Sequence, residues 1–169
     1  MTPDLETLRL EEERTRFFSR RPPTLGETFG RNVRYFRQQR GMTQKMFAEI
    51  LRRHGVPRAT EDFVSDIENG RSDSKLYVVQ GIEEALQCGW PNLLLPGMCF
   101  AKPRRIKDVL NTIETNICLY ATNSKSTMAD VLRNARIPTP ITDCTLQGLV
   151  RLQVGLGCTI ADLLDSEES

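Results

Sequence analysis

Histidine occurs once in this chain of 169 residues, at His54. One imidazole cannot build a multi-histidine metal site, and a single histidine is less than the usual material for Ser-His-acid catalysis. The five cysteines, Cys88, Cys99, Cys118, Cys144 and Cys158, are odd in number and scattered, with no Cys-x-x-Cys pair. That spacing argues against zinc and fits buried thiols packing as small apolar groups. Neither sign of charge predominates, with 23 Lys and Arg against 22 Asp and Glu, so any electrostatic case for a nucleic-acid partner rests on distribution. No apolar run approaches the ~20 residues that span a bilayer, and Met1 to Arg21 is polar where a secretion signal needs an apolar core. The expectation is a cytoplasmic protein with no membrane role. With no phosphate loop, metal ligands or nucleophile-base pair, it is also expected to be a non-enzyme that uses no cofactor.

What is present is helical patterning. Hydrophobic residues at 39% and charged residues at 27% are ordinary for a globular protein, and the length suits two domains of about 60 to 80 residues each. Residues 1–23 form a charged arm ending in Arg20-Arg21-Pro22-Pro23, either a short helix docking on a partner through Leu5, Leu8, Phe17 and Phe18 or a disordered segment. As an arm it would let Arg14, Arg16, Arg20 and Arg21 follow a DNA groove. Residues 24–95 carry the first helical domain. Thr24 and Glu27 are in capping-box order, Phe29, Val33 and Phe36 make an apolar face, and Gly41 closes the helix. Thr43 caps a second helix with Met46, Phe47, Ile50 and Leu51 inward. Thr60 caps a third with Phe63, Val64 and Ile67 inward, stopped by Asn69-Gly70. Leu76, Val79, Ile82, Glu83 and Leu86 outline a fourth, and Pro91 to Leu95 a short fifth.

Basic residues cluster at Arg31, Arg34, Arg37 and Arg40, around Arg52, Arg53 and Arg58, and at Lys102, Arg104, Arg105 and Lys107. Each cluster reads equally as a nucleic-acid surface or as a solvated face balanced by the acids.

The succession of a helix, Gly41-Met42-Thr43-Gln44, a second helix, and Val64-Ser65-Asp66-Ile67-Glu68-Asn69-Gly70-Arg71 is similar to the lambda-repressor-like Cro/Xre family of helix-turn-helix proteins over about 70 residues. The resemblance implies that the helix opened by Thr43 lies across the phosphate backbone and the next enters the major groove. Arg40, Thr43, Gln44, Arg71 and Lys75 are then the phosphate contacts, and Arg58, Thr60, Glu61, Asp62, Phe63 and Asp66 the base-facing positions. Two features depart from the family. The connection Arg52 to Ala59 is about half a dozen residues longer than the usual tight turn, which leaves the angle between the two helices open. The base-facing positions are also acidic, and an Asp or Glu accepts from cytosine N4 only where cations such as Arg52, Arg53, Arg58 and Arg71 offset the phosphate repulsion.

Residues 96–105 read as a linker and 106–165 as a second unit. Ile106, Val109, Leu110, Ile113, Ile117 and Tyr120 repeat at helical spacing over four turns, Thr127-x-x-Asp130 is a capping box, and Thr142 or Asp143 is expected to cap a helix carrying Leu146, Leu149, Val150 and Leu152. The ending Val154 to Leu164 resembles the close of a second domain of the same family, which suggests an internal duplication. The fold class expected is therefore all-α, two small helix-turn-helix bundles in tandem, the second reduced. If the second reads DNA, Arg136, Thr139, Thr142, Thr145 and Gln147 are its contacts, with Lys125 and Arg133 on phosphates; if it dimerises, the long Ile106 helix is the surface, since its stripe exceeds what so small a core needs.

The function implied is sequence-specific binding of double-stranded DNA by a transcriptional regulator, a repressor occupying an operator as a homodimer and controlled by concentration or a regulatory protein partner. That resembles the small regulators of phages and other mobile elements. The alternative is a protein-interaction module of antitoxin or antirepressor type, presenting the acidic face Glu61, Asp62, Asp66 and Glu68 to a basic partner.

Overall fold

The computed structural model describes residues 21–96, 106–123 and 125–164. Most of the expected arm (1–23) and of the linker (96–105) lies outside them. The fold is all-α: α1 (Leu25–Gln39), α2 (Gln44–Arg53), α3 (Glu61–Glu68), α4 (Leu76–Leu86), α5 (Trp90–Leu94), α6 (Ile106–Asn123), α7 (Met128–Asn134), a 3-10 turn (Ile141–Asp143), α8 (Leu146–Leu156) and α9 (Ile160–Leu164). Among the described residues the extended backbone pairs at one place, an isolated antiparallel bridge between Lys75 and Thr145.

The helices begin where hydroxyl caps sit. Thr24 accepts from the Glu27 N–H while the Glu27 carboxylate accepts from the Thr24 N–H, and Thr43, Thr60 and Thr127 accept from Met46, Phe63 and Asp130, each satisfying an N–H that no helical carbonyl reaches. Phe29 and Val33 of α1, Phe47 and Leu51 of α2, Val64 and Ile67 of α3, and Leu76, Val79, Ile82 and Leu86 of α4 close the first core, and α5 covers it with Trp90, Leu93 and Leu94. Burying each of the larger side chains is worth about 1.5–3 kcal/mol. Glu83 is buried with them and accepts from the Trp90 indole N–H at 2.7 Å.

The long connection between α2 and α3 is packed. Val56 and Ala59 are buried, and the Arg52 guanidinium donates to the Ala59 carbonyl at 2.8 Å. Gly81 of α4 makes room, since a Cβ there would stand 2.5 Å from the His54 carbonyl oxygen and 2.6 Å from Val56 Cγ2. The extra residues thus tie the turn to α4, and α3 is fixed against α1. Their crossing is so close that a Cβ on Gly30 would fall 2.1 Å from the Ile67 carbonyl oxygen.

In the second half, Ile113, Ile117 and Ala121 of α6 are buried, so this part of the stripe expected to be spare for a dimer is covered by the chain itself; Leu119 stays exposed. The cap of α8 is Thr145, accepting from the Gly148 N–H, and not Thr142 or Asp143 as expected. Those two residues are taken up by the 3-10 turn that precedes it.

The halves share one continuous core, with α8 packed on α1 and α9 on α5. Their backbones also join. The Leu76 N–H donates to the Cys144 carbonyl at 2.9 Å and the Leu146 N–H to the Ser74 carbonyl at 3.0 Å.

Candidate nucleic-acid interface

The centre of the site is a buried carboxylate. Glu68, near the end of α3, turns inward and accepts from Arg37 Nε and Nη2, from Arg34 Nε at 3.3 Å and from Gln44 Nε2 at 2.9 Å. Arg37 is itself buried and also donates to the Met42 carbonyl. One ion network therefore binds α1, the Gly41-Met42-Thr43 turn, the start of α2 and the end of α3 into a rigid corner. Burial pushes the Glu68 carboxyl upward, but the hydrogen bonds from Arg37, Gln44 and Arg34 and the charge of Arg37 outweigh it and hold the group below its ordinary range.

Several sequence readings change here. The arginines spaced by three on α1 do not make one basic face. Arg37 is buried, Arg34 pairs with Glu68 and with Asn69 Oδ1, and Arg40 lies 5.8 Å from the Phe36 ring centroid and donates to the Phe36 carbonyl, while Arg31 is exposed. Glu68 likewise leaves the acidic face proposed for a protein partner, because its side chain is fully enclosed. The signal was present in the register: Arg37 stands four residues after Val33, and Glu68 four after Val64, both on inward stripes.

Around this corner, Thr43 caps α2 and is exposed, and Gln44 is half-buried with its amide N–H held by Glu68. The first-turn N–H groups of α2, which no intrahelical carbonyl takes, sit beside exposed Lys45. Arg58 and Thr60 are exposed where the chain turns into α3, and Glu61, Asp62 and Asp66 are exposed on it. Among the described residues none of these three acids forms an ion pair. Phe63 is only half exposed and packs against the core. Beyond α3, Gly70 takes a left-handed conformation (φ 67°), and Arg71, exposed, returns its N–H to the Asp66 carbonyl at 2.9 Å. Lys75 is paired with Asp143 of the second half at 3.5 Å.

The second-half candidates do not gather into a face of their own. Thr145 is the α8 cap and faces Lys75 across the bridge; Gln147 is exposed, with its backbone N–H held by Asp73 Oδ1 at 3.0 Å. Both are thereby brought against the loop that follows α3. Arg136, Thr139 and Lys125 are exposed, Thr142 lies in the 3-10 turn, and Arg133 pairs with Asp130 at 3.2 Å. Asp73, which the sequence reading did not single out, is the residue that caps α8 from the other half.

Burial pushes the thiols of Cys88 and Cys144 up to about 12 and about 11, and that of Cys158 upward, as packing residues should behave. No group of three or more His, Cys, Asp and Glu side chains is placed to hold a metal ion among the described residues, and no helix there is long and apolar enough to cross a membrane.

Residues 33–91 match the family model HTH_3, a Cro/C1-type helix-turn-helix. This stretch runs from the second half of α1 to the start of α5 and so contains the Glu68 corner, α2 and α3. Over these residues the chain is similar to helix-turn-helix domains. No curated protein and no solved structure matches the chain.

Proposed function

We propose that the protein is a sequence-specific double-stranded-DNA-binding regulator that represses by occupying an operator. The observation carrying this reading is the rigid corner at Glu68, which presents the capped start of α2 beside an exposed, polar α3 within the matched helix-turn-helix. In this reading Arg40, Thr43, Lys45 and Arg71 meet phosphates, and Gln44 does so through its backbone N–H and the second N–H of its side-chain amide, the first being held by Glu68. Arg58, Thr60, Glu61, Asp62 and Asp66 face the bases. The acids accept from cytosine amino groups, with Arg52, Arg58 and Arg71 offsetting phosphate repulsion.

Selection from a random duplex pool tests the proposal. An enriched motif bound with a steep salt dependence is the expected result, and Arg71→Ala should weaken binding on every sequence while lowering the salt slope by about 1. No enrichment at low salt refutes it.

The three unpaired acids on α3 favour a second reading, docking of a basic protein partner in the manner of an antitoxin or antirepressor. Glu61→Lys separates the two. It changes the preferred bases if α3 reads DNA, and on the partner reading it abolishes partner binding with no selected motif to alter.

A further inference from the structure

The two halves are related residue by residue about the point where their backbones join. α4 and α8 each have 11 residues, and their inward leucines Leu76 and Leu146 stand 70 positions apart. The same separation links Ile82 with Leu152, Cys88 with Cys158, Trp90 with Ile160 and Leu93 with Leu163, all buried. It also links the left-handed helix ends at Gln87 (φ 47°) and Gly157 (φ 68°). The first helices correspond at a separation of 84: Asn32 Nδ2 donates to the Leu93 carbonyl at 3.1 Å and Asn116 Nδ2 to the Leu163 carbonyl at 3.2 Å, and the caps Thr43 and Thr127 stand in the same relation. The difference between the two separations is a deletion in the second half, and α3 is the helix that falls in it.

Any antiparallel bridge has a local two-fold axis. Here the residues facing across that axis, Lys75 and Thr145, are themselves equivalent, and the flanking bonds are reciprocal: Leu76 to Cys144, Leu146 to Ser74. Reciprocal contact between equivalent residues is what an isologous dimer interface consists of. This chain carries such an interface within itself, one side of it bearing α3 and the other none. The backbone groups of Ser74 and Leu76, the Lys75 ammonium and the Asp73 carboxylate are all engaged there, so a second copy cannot pair through the loop that leads away from α3.

We infer that a single chain is the DNA-binding unit and that its target is an asymmetric duplex site rather than an inverted repeat. This rests on the DNA-reading proposal above and replaces the homodimer expected from the resemblance. Operator symmetry mirrors protein symmetry, and a pseudo-dimer with one base-reading helix imposes none.

The test uses the full-length chain. The motif selected from random duplexes is inspected for inverted symmetry, and the complex with one copy of that site is weighed by native mass spectrometry. In parallel, tagged and untagged chains are mixed on the same duplex in a gel-shift assay. A motif without inverted symmetry, one chain per site and two shifted bands with no third between them are expected. An inverted repeat, two chains per site or an intermediate band overturns the inference while leaving DNA reading intact. Absence of any enriched motif is the separate outcome that defeats the DNA reading itself.

Discussion

Replacing Arg37 by methionine keeps the bulk of the side-chain stem and removes the guanidinium from the Glu68 corner. Glu68 has no side-chain exposure to water, so its charge would be left with only Gln44 and the half-exposed Arg34, and the Met42 carbonyl would lose its donor. Breaking a buried ion pair from one side typically costs about 3–5 kcal/mol, a large share of the ~5–15 kcal/mol that holds a domain folded. For a chain of this length the midpoint of thermal unfolding should fall by on the order of 10 °C. The double variant Arg37→Met/Glu68→Leu removes both charges and should recover most of the loss. The pH dependence follows with its sign. Because the folded-state carboxyl of Glu68 titrates below its ordinary value of 4.5, its contribution is complete above that value and is lost as pH falls through the lower folded one. Arg37→Met should flatten this part of the acid limb. Urea unfolding of the wild type and both variants between pH 3 and pH 7 decides the matter. A single variant within about 1 kcal/mol of wild type at pH 7, or a double variant no better than the single, would refute the corner as described.

Gly30→Ala reports on the crossing of α1 and α3. Helix propensity alone would stabilise the alanine variant by ~1 kcal/mol, whereas a Cβ placed 2.1 Å from the Ile67 carbonyl oxygen forces the helices apart and should cost at least about 2 kcal/mol; a stabilised variant in thermal melts contradicts the close approach. The thiols give a third check. In a Cys99→Ser background, Ellman's reagent at pH 8 should titrate exposed Cys118 quickly and reach Cys88, Cys144 and Cys158 only on unfolding. A cut after Pro96 should leave an aggregation-prone fragment, because α8 and α9 cover α1 and α5; a monomeric fragment melting as cooperatively as the whole chain would show that the shared core matters little.

Local signals carried most of the fold. The caps at Thr24, Thr43, Thr60 and Thr127 and the stripes of α1 to α4 need only near neighbours in the chain, and they stand where periodicity and hydroxyl placement put them, except that Met46, expected inward on α2, is 50% exposed. What was illegible depends on distant partners. Arg37 and Glu68 were counted with the surface charges because burial of an ion pair becomes tolerable only when each finds the other, 31 residues away. The Thr145 cap was misplaced by a few positions because three threonine or aspartate residues compete there, and the choice is made by Asp73 and Ser74 of the other half. The closing stretch of the second unit suggested duplication, but periodicity gives no sign that the two halves would join at Lys75 and Thr145.

That pairing bears on how α3 is held. On the proposed reading α3 is the helix that enters the groove; such a helix loses affinity when it must be ordered on binding, and α3 is only 8 residues long with three exposed acids along it. It is clamped at both sides of its C-terminal end. The Glu68 corner fixes it to α1 and α2, and Asn69 joins Arg34 at 3.2 Å. Past Gly70 the chain runs through Arg71 to Ser74 and Leu76, whose backbone groups are bonded to the second half. The second half thus anchors the far end of the loop that carries Arg71, so loosening the bridge should free Arg71 and the end of α3 together. Asp73→Ala, which removes the cap on Gln147 without touching α3 or any residue assigned to DNA, should weaken DNA binding several-fold and speed amide exchange at Arg71 and Leu76. Unchanged affinity with faster exchange confined to α8 would mean that the second half does not position the reading helix.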